Sequence, residues 1–201
     1  MIIENITFNK NKFIISFDLD IDITITEDVL VKFNLYKGME VEDNFREILH
    51  KENSKNEGLL LSYKYLSNLK TTQQVKNYLY RKKINQYVID DIIIELEKKG
   101  YLNDYDYALR LIHDSQKINR DGKNKIIYKL RSKGIKSNII DKAIREIDVN
   151  LEEKNILYLS KRRFKNRGYN EKEIYSCKNY LLNKGFDSEL INKVMENVNE
   201  K

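Results

Sequence analysis

The chain has no proline and no tryptophan, one cysteine, two histidines and seven glycines in 201 residues. Without proline, nothing in the backbone forbids long helices. A single cysteine, Cys177, excludes an intramolecular disulfide and fits a reducing compartment. One cysteine with His50 and His113, far apart in sequence, gives no zinc-binding spacing. There is no run of 18 apolar residues, so no transmembrane helix is expected. The opening MIIENITFNK lacks a basic stretch followed by an apolar one, so no signal peptide is read and the expected location is cytoplasmic. Neither a Walker A loop nor GxGxxG occurs, so nucleotide binding is not signalled. The carboxylates Asp90, Asp91, Asp104 and Asp106 fall on amphipathic helices or at helix starts, and His113 adjoins an apolar stripe at Leu111 and Ile112. These patterns read as solvent-facing, capping and structural groups. No enzyme, cofactor or metal is expected.

What the chain does have is an internal register of 51 residues. Val75, Ile126 and Cys177 share one phase, and Leu79, Leu130 and Leu181 another. Lys82/Lys133/Lys184, Lys83/Gly134/Gly185 and Ile84/Ile135/Phe186 follow in succession. Downstream the apolar phases are Val88/Ile139/Leu190, Ile89/Ile140/Ile191, Ile92/Ala143/Val194 and Ile93/Ile144/Met195. A register held without insertion predicts three copies of one helical module, an architecture suited to binding along surfaces. Cys177, in the phase of Val75 and Ile126, is expected in the core.

Charge is divided unevenly. Residues 1–57 hold 7 basic and 12 acidic side chains, whereas the remaining 144 hold 30 and 19. The contrast marks two units, the basic one either meeting a polyanion or acidic protein or simply facing water. Periodicity divides the chain similarly. From Ile2 to Ile25 apolar residues alternate, clearest in Phe13-Ile14-Ile15-Ser16-Phe17 and from Leu19 to Ile25, which predicts strands with one face on a core. Asn9-Lys10-Asn11-Lys12 reads as a hairpin turn. Thr26 is expected to cap a short helix with Val29, Leu30 and Phe33 buried, Gly38 to end that segment, and Phe45–Leu49 to form another short helix. Residues 52–56 read as a polar linker and domain boundary.

Each repeat is expected to hold three helices. In the second, Asp104 caps a helix with Tyr107, Ala108, Leu111 and Ile112 on one face, and Asn119-Arg120-Asp121-Gly122 breaks it. Lys123–Lys133 follows, stopped by Gly134, and then a helix capped by Ser137 with a stripe reaching Ile147. The third copy runs Leu151–Arg167, Asn170–Lys184 stopped by Gly185, and Asp187 or Ser188 to Val198. The first starts near Gly58 and has Lys83 at the stopping position, a departure costing about 1 kcal/mol if that residue is left-handed. The fold class expected is mainly α: three tandem three-helix repeats in an elongated curved array, preceded by a small N-terminal α+β domain. Its bounds are 1–56, 57–99, 100–149 and 150–201.

Gly100-Tyr101-Leu102-Asn103-Asp104 with Tyr107-Ala108, Gly122, Ile126, Leu130 and Lys133-Gly134-Ile135 resembles the signature of the RecX family. Glu27-Asp28-Val29-Leu30, Leu35-Tyr36-Lys37-Gly38 and Tyr180-Leu181-Leu182-Asn183-Lys184-Gly185-Phe186 are similar to Gram-positive members. The order and spacing carry the resemblance, over nearly the whole chain. The chain departs from the family pattern in having Asn103 as the first of two usually acidic residues, and Lys70-Thr71 with Gln74 where Arg-Thr and Glu are common. The resemblance implies a non-enzymatic regulator, mainly an inhibitor, of the RecA recombinase in DNA repair, recombination and the SOS response. Such proteins lodge in the groove of the RecA–DNA filament and limit ATPase, strand exchange and filament growth. It implies a monomer whose partner is that filament, with single- or double-stranded DNA as a further candidate and no membrane.

The candidate filament-binding residues are cations. Lys161, Arg162, Arg163, Lys165 and Arg167 put five charges into seven residues, more than one helix face can hold. Arg81 and Lys82, and Lys123, Lys125 and Arg131 with Lys129 and Lys133, are further candidates. Arginine is favoured where a phosphate or carboxylate is gripped bidentately. Each cluster also has a plain reading as a solvated helix face, and Lys82, Lys133 and Lys184 as cations complementing helix C-termini. The alternative function is a free-standing basic helical-repeat DNA- or RNA-binding protein, with tyrosines such as Tyr78 and Tyr80 stacking on bases. A helical adaptor for another protein is a third.

Overall fold

The computed structural model of the chain describes residues 1–18 and 21–196. The N-terminal alternation becomes β1 (Ile3–Asn9), β2 (Lys12–Phe17) and β3 (Ile21–Ile25), an antiparallel sheet in the order β1-β2-β3. Lys10 and Asn11 both take positive φ, 47° and 64°, in the two-residue loop closed by the pair Asn9↔Lys12. Such a two-residue turn matches the twist of the strands it joins. One face of the sheet buries Ile3, Ile15, Phe17, Ile23 and Ile25 against Val29 of α1 (Glu27–Lys32), Leu35 and Leu49. Leu19, the first residue of the expected alternation into β3, lies outside the described residues, as does Asp20. Thr26 stands at the start of α1, yet its side chain makes no capping bond; its hydroxyl accepts from Asn56 Nδ2 at 3.5 Å.

The short helix and polar linker expected after residue 45 are replaced by one continuous helix, α2 (Phe45–Tyr65). The run is polar because its side chains hold other elements, not because it is a loop. Asn53 donates to the Thr24 carbonyl and accepts from the Thr26 N–H at 2.8 Å, occupying backbone groups at the end of β3. Glu52 pairs with Lys32, Glu57 with Lys12, and Lys55 with Glu95. α3 (Thr72–Arg81) and α4 (Gln86–Lys98) complete this part, with Leu59, Val75, Leu79, Val88, Ile89 and Ile92 in one core. Gly58 is where α2 meets α4, since a Cβ there would collide with Ile92 Cδ1.

The chain divides into two compact units, Met1–Lys70 with Gln74–Leu102, and Thr71–Gln73 with the described residues from Asn103 onward. The second unit holds two three-helix sets. One is α5 (Asp104–Lys117), α6 (Lys123–Ser132) and α7 (Ser137–Ala143), the last tightening into a 3-10 turn at Ile144–Glu146. The other is α8 (Val149–Arg167), α9 (Glu171–Asn183) and α10 (Ser188–Glu196). The cores are the repeat phases: Ile126, Leu130, Ile135, Ile140 and Ala143 in one, Cys177, Leu181, Phe186, Ile191 and Val194 in the other. Val198, the expected end of the last helix, lies outside the described residues.

Two expected caps move by one residue. Asn103, not Asp104, caps α5, its Oδ1 accepting from the N–H groups of Tyr105 and Asp106. Asp104 is thereby free to accept the Thr72 N–H at 2.8 Å. Lys136 precedes α7 without a side-chain cap, and Ser137 is the first helical residue.

The three stopping positions share one geometry. Lys83, Gly134 and Gly185 have φ of 63°, 76° and 86°. In each case the next N–H reaches back to the third-last helical carbonyl: Ile84 to Leu79, Ile135 to Leu130, Phe186 to Leu181. This is the Schellman closure, with its apolar contact supplied by the same residues. Ten α-helices and one three-stranded sheet among the described residues make the chain mainly helical with a small N-terminal sheet.

Candidate anion-binding surface

Helix α8 begins at Asp148, whose side chain accepts the Leu151 N–H. Ile156, Leu159 and Ser160 face inward, and that register sets the basic run. Lys161, Arg162, Lys165 and Arg167 are exposed, while Arg163 is half-buried. Arg163 Nη2 donates to Ser176 Oγ at 2.7 Å, and its guanidinium lies 5.3 Å from the Tyr180 ring centre. Arg162, Arg163 and Arg167 line one pocket of about 320 Å³ with Leu159 and Tyr180. Arg167 Nη1 stands 3.8 Å from Glu173 Oε2. Among the described residues, Arg163 Nε and Glu173 Oε2 are buried without a hydrogen-bond partner. Cations in the last turn of α8 also complement the negative end of its dipole.

A second cluster is closed by the chain itself. Asp121, 2% exposed, pairs with Lys125, Lys129 and Lys184. Burial pushes its carboxyl up, but the hydrogen bonds and charges of Lys129 and Lys125 outweigh this and hold it below the usual aspartate range. Here the two three-helix sets meet. The Gly122 N–H donates to the Lys184 carbonyl and the Asn124 N–H to the Gly185 carbonyl, both at 2.9 Å. A Cβ on Gly122 would strike the backbone of Gly185 and Phe186. The Lys123 N–H at the start of α6 donates to Glu152 at 2.7 Å, and burial pushes that carboxyl above the usual glutamate range. Gln116 and Asn155 add bonds to Asp148 and to the Gln116 carbonyl.

The sequence-selected cations therefore fall into different settings. Lys161, Arg162, Lys165 and Arg167 share α8 and face solvent, with Arg163 anchored beside them. Lys125 is half-buried and tied to Asp121, whereas Lys123 and Arg131 are exposed on α6. Arg81 and Lys82 are exposed at the end of α3, where Lys82 lies 5.7 Å from the Tyr78 ring and Arg81 Nε donates to the Asn77 carbonyl. Tyr78 stacks on Tyr65 with centres 4.2 Å apart, so its ring is used internally. His113, expected to be structural, is exposed beside Asp114. Sequence reasoning missed Asp121, Glu152 and Gln116, because a buried polar residue between helices reads as an ordinary breaker or solvent-facing group. The signal was Asp121-Gly122 ahead of three lysines at positions 123, 125 and 129. Among the described residues no helix is long and apolar enough to cross a membrane, and no group of His, Cys, Asp and Glu is placed to hold a metal ion.

Comparison with known proteins follows the helices. The family model described as RecX, second three-helix domain, matches residues 103–144, the α5–α7 set. The regulatory protein RecX of Clostridioides difficile is 30% identical over 180 residues, covering 86% of this chain and 82% of that one. That of Oceanobacillus iheyensis is 27% identical over 86% of this chain, which spans 65% of the relative's length. A crystal structure of regulatory protein RecX superposes with a TM-score of 0.79 at 20% identity, covering 97% of this chain and 98% of the other, and so shares its fold. With a relative at this identity covered over most of its length, and the helical sets to match, the chain belongs to the RecX family.

Proposed function

We propose that this protein regulates the RecA recombinase, chiefly as an inhibitor, by binding the groove of the RecA–DNA filament. In that role it limits ATPase activity, strand exchange and filament growth without catalysing a reaction itself. Membership of a family whose relatives are named regulatory proteins carries this reading. The proposed modules of recognition are the helical repeats 57–99, 100–149 and 150–201 behind the 1–56 segment, with α2 serving both the sheet and the first repeat. The proposed contact residues are Lys161, Arg162, Arg163, Lys165 and Arg167 of α8, with Arg81, Lys82, Lys123, Lys125 and Arg131 as secondary points. The protein is taken to act as a cytoplasmic monomer.

Sedimentation with preformed RecA–DNA filaments tests the reading. The expected result is that the protein pellets with filaments and does so less as salt rises, because charged contacts are screened. Recovery in the supernatant at every salt concentration would refute it. Equal pelleting with DNA alone would favour direct nucleic-acid binding as the primary function.

A further inference from the structure

The two cationic clusters of the second unit differ in how their charge is met. Around Asp121 three lysines share one buried carboxylate supplied by the chain. One repeat further on, the residue in the phase of Asp121 is Lys172, and in the phase of Gly122 it is Glu173. Glu173 is thus the acid of the third set, but its mostly buried carboxylate makes one 3.8 Å pair with Arg167, where Asp121 holds three lysines within 3.3 Å. Three arginines instead converge on the pocket over Leu159 and Tyr180. Their nearest acid, Glu173, is 3.8 Å from Arg167, beyond hydrogen-bond length. Arg163 Nε is buried with no acceptor among the described residues, although a guanidinium has five N–H groups to satisfy. Lys161 and Lys165 extend the positive field along the same helix.

We propose that the pocket of Arg162, Arg163 and Arg167 is a phosphate site that takes the backbone of nucleic acid. Resting on the filament-regulator reading above, it assigns the α8–α9 face to the DNA of the filament. Arg163, fixed by Ser176 and Tyr180, is the preset arm, and the exposed Arg162 and Arg167 close on the phosphate oxygens from either side. Forked guanidinium groups match such oxyanions bidentately. A field of five cations over two helical turns suits a polymer of regularly spaced charges better than a single carboxylate. The Tyr180 ring carries the Arg163 guanidinium on one side, and the proposal assigns it to holding that arm rather than to reading bases.

The test is fluorescence anisotropy of a labelled oligothymidylate bound by the full chain over a range of salt, for wild type and R162A/R167A. Both substituted residues are exposed, and a thermal melt checks that the fold is retained. The expected result is binding weakened about tenfold or more in the variant, with the salt slope reduced by about 1–2. R163K, which keeps charge but loses the fork, is expected to weaken binding by a smaller factor at an unchanged slope. Inorganic phosphate and ATP are added as competitors. Displacement only by excess unlabelled oligonucleotide identifies the polymer backbone as the ligand, whereas displacement by millimolar phosphate or ATP identifies a free phosphate ligand and overturns the backbone assignment. Wild-type affinity in R162A/R167A, or no binding by wild type, overturns the site altogether. Because this assay contains no RecA, its failure is distinct from failure of the regulator reading, which the filament assay measures.

Discussion

At the residue scale, single side chains set how tightly the helical sets close. Lys83 is the non-glycine member of the three left-handed stopping positions, with φ of 63°. Replacing it by glycine removes the Cβ strain, and K83G is expected to raise stability by about 1 kcal/mol in urea denaturation. Asp121 and Glu152 act oppositely with pH. The depressed Asp121 contributes stability that is present above the unfolded aspartate value and lost as pH falls through its folded value. Glu152, raised by burial against the weaker pull of Lys123, contributes most below the unfolded glutamate value and loses it as pH rises towards its folded one. D121N is therefore expected to cost about 1–3 kcal/mol at neutral pH, since three half-exposed lysines lose their partner. E152Q keeps the acceptor for the Lys123 N–H and is expected to stabilise the fold at neutral pH, with little change in acid. Denaturation curves across the acid-to-neutral range check both signs. Cys177 is fully buried, and burial pushes its thiol up. It is expected to react with a thiol reagent only as fast as the fold opens, and prompt labelling of native protein would contradict its core position.

At the element scale, the apolar repeat made most of the helical architecture legible. Val75, Ile126 and Cys177, and Leu79, Leu130 and Leu181, share phases because each is the same buried turn of a second helix. The alternation in β2 and the turn at Lys10-Asn11 were legible for the same reason, period two being visible without tertiary context. Helix α2 was not. Asn53, Lys55 and Asn56 look like linker residues, yet their partners are Thr24, Thr26 and Glu95, far away in sequence. A polar run that serves as the contact surface of a helix carries no local sign of it. N53A is expected to cost about 1–3 kcal/mol, because the Thr24 carbonyl and Thr26 N–H lose their partner. Circular dichroism should show α2 retained in that variant. The candidate site was half legible: the density of cations on α8 is plain in sequence, but the division between anchored Arg163 and exposed Arg162 and Arg167 depends on Ser176 and Tyr180 of α9.

At the scale of the whole molecule, the positive balance of residues 58–201 stands beside an acidic N-terminal segment. Some of that charge is neutralised internally, at Asp121, which joins Lys125, Lys129 and Lys184, and at Glu95, which joins Lys99. The exposed remainder on α8 is the charge proposed above to meet a polyanionic partner. Isolated surface ion pairs such as Lys193–Glu153 contribute little to stability, so charge on this face can serve binding at small cost to the fold. R162A/R167A is accordingly expected to lose inhibitory potency towards RecA while keeping wild-type helical content and melting temperature. The most direct measurement is the single-stranded-DNA-dependent ATPase of the cognate RecA, titrated with this protein at near-physiological salt and repeated with excess DNA. Inhibition at protein well below the RecA concentration, unrelieved by the added DNA, is the result expected of a filament regulator. An unchanged ATPase, or inhibition that vanishes as DNA is added, would contradict RecA regulation and leave the basic helices to bind nucleic acid on their own.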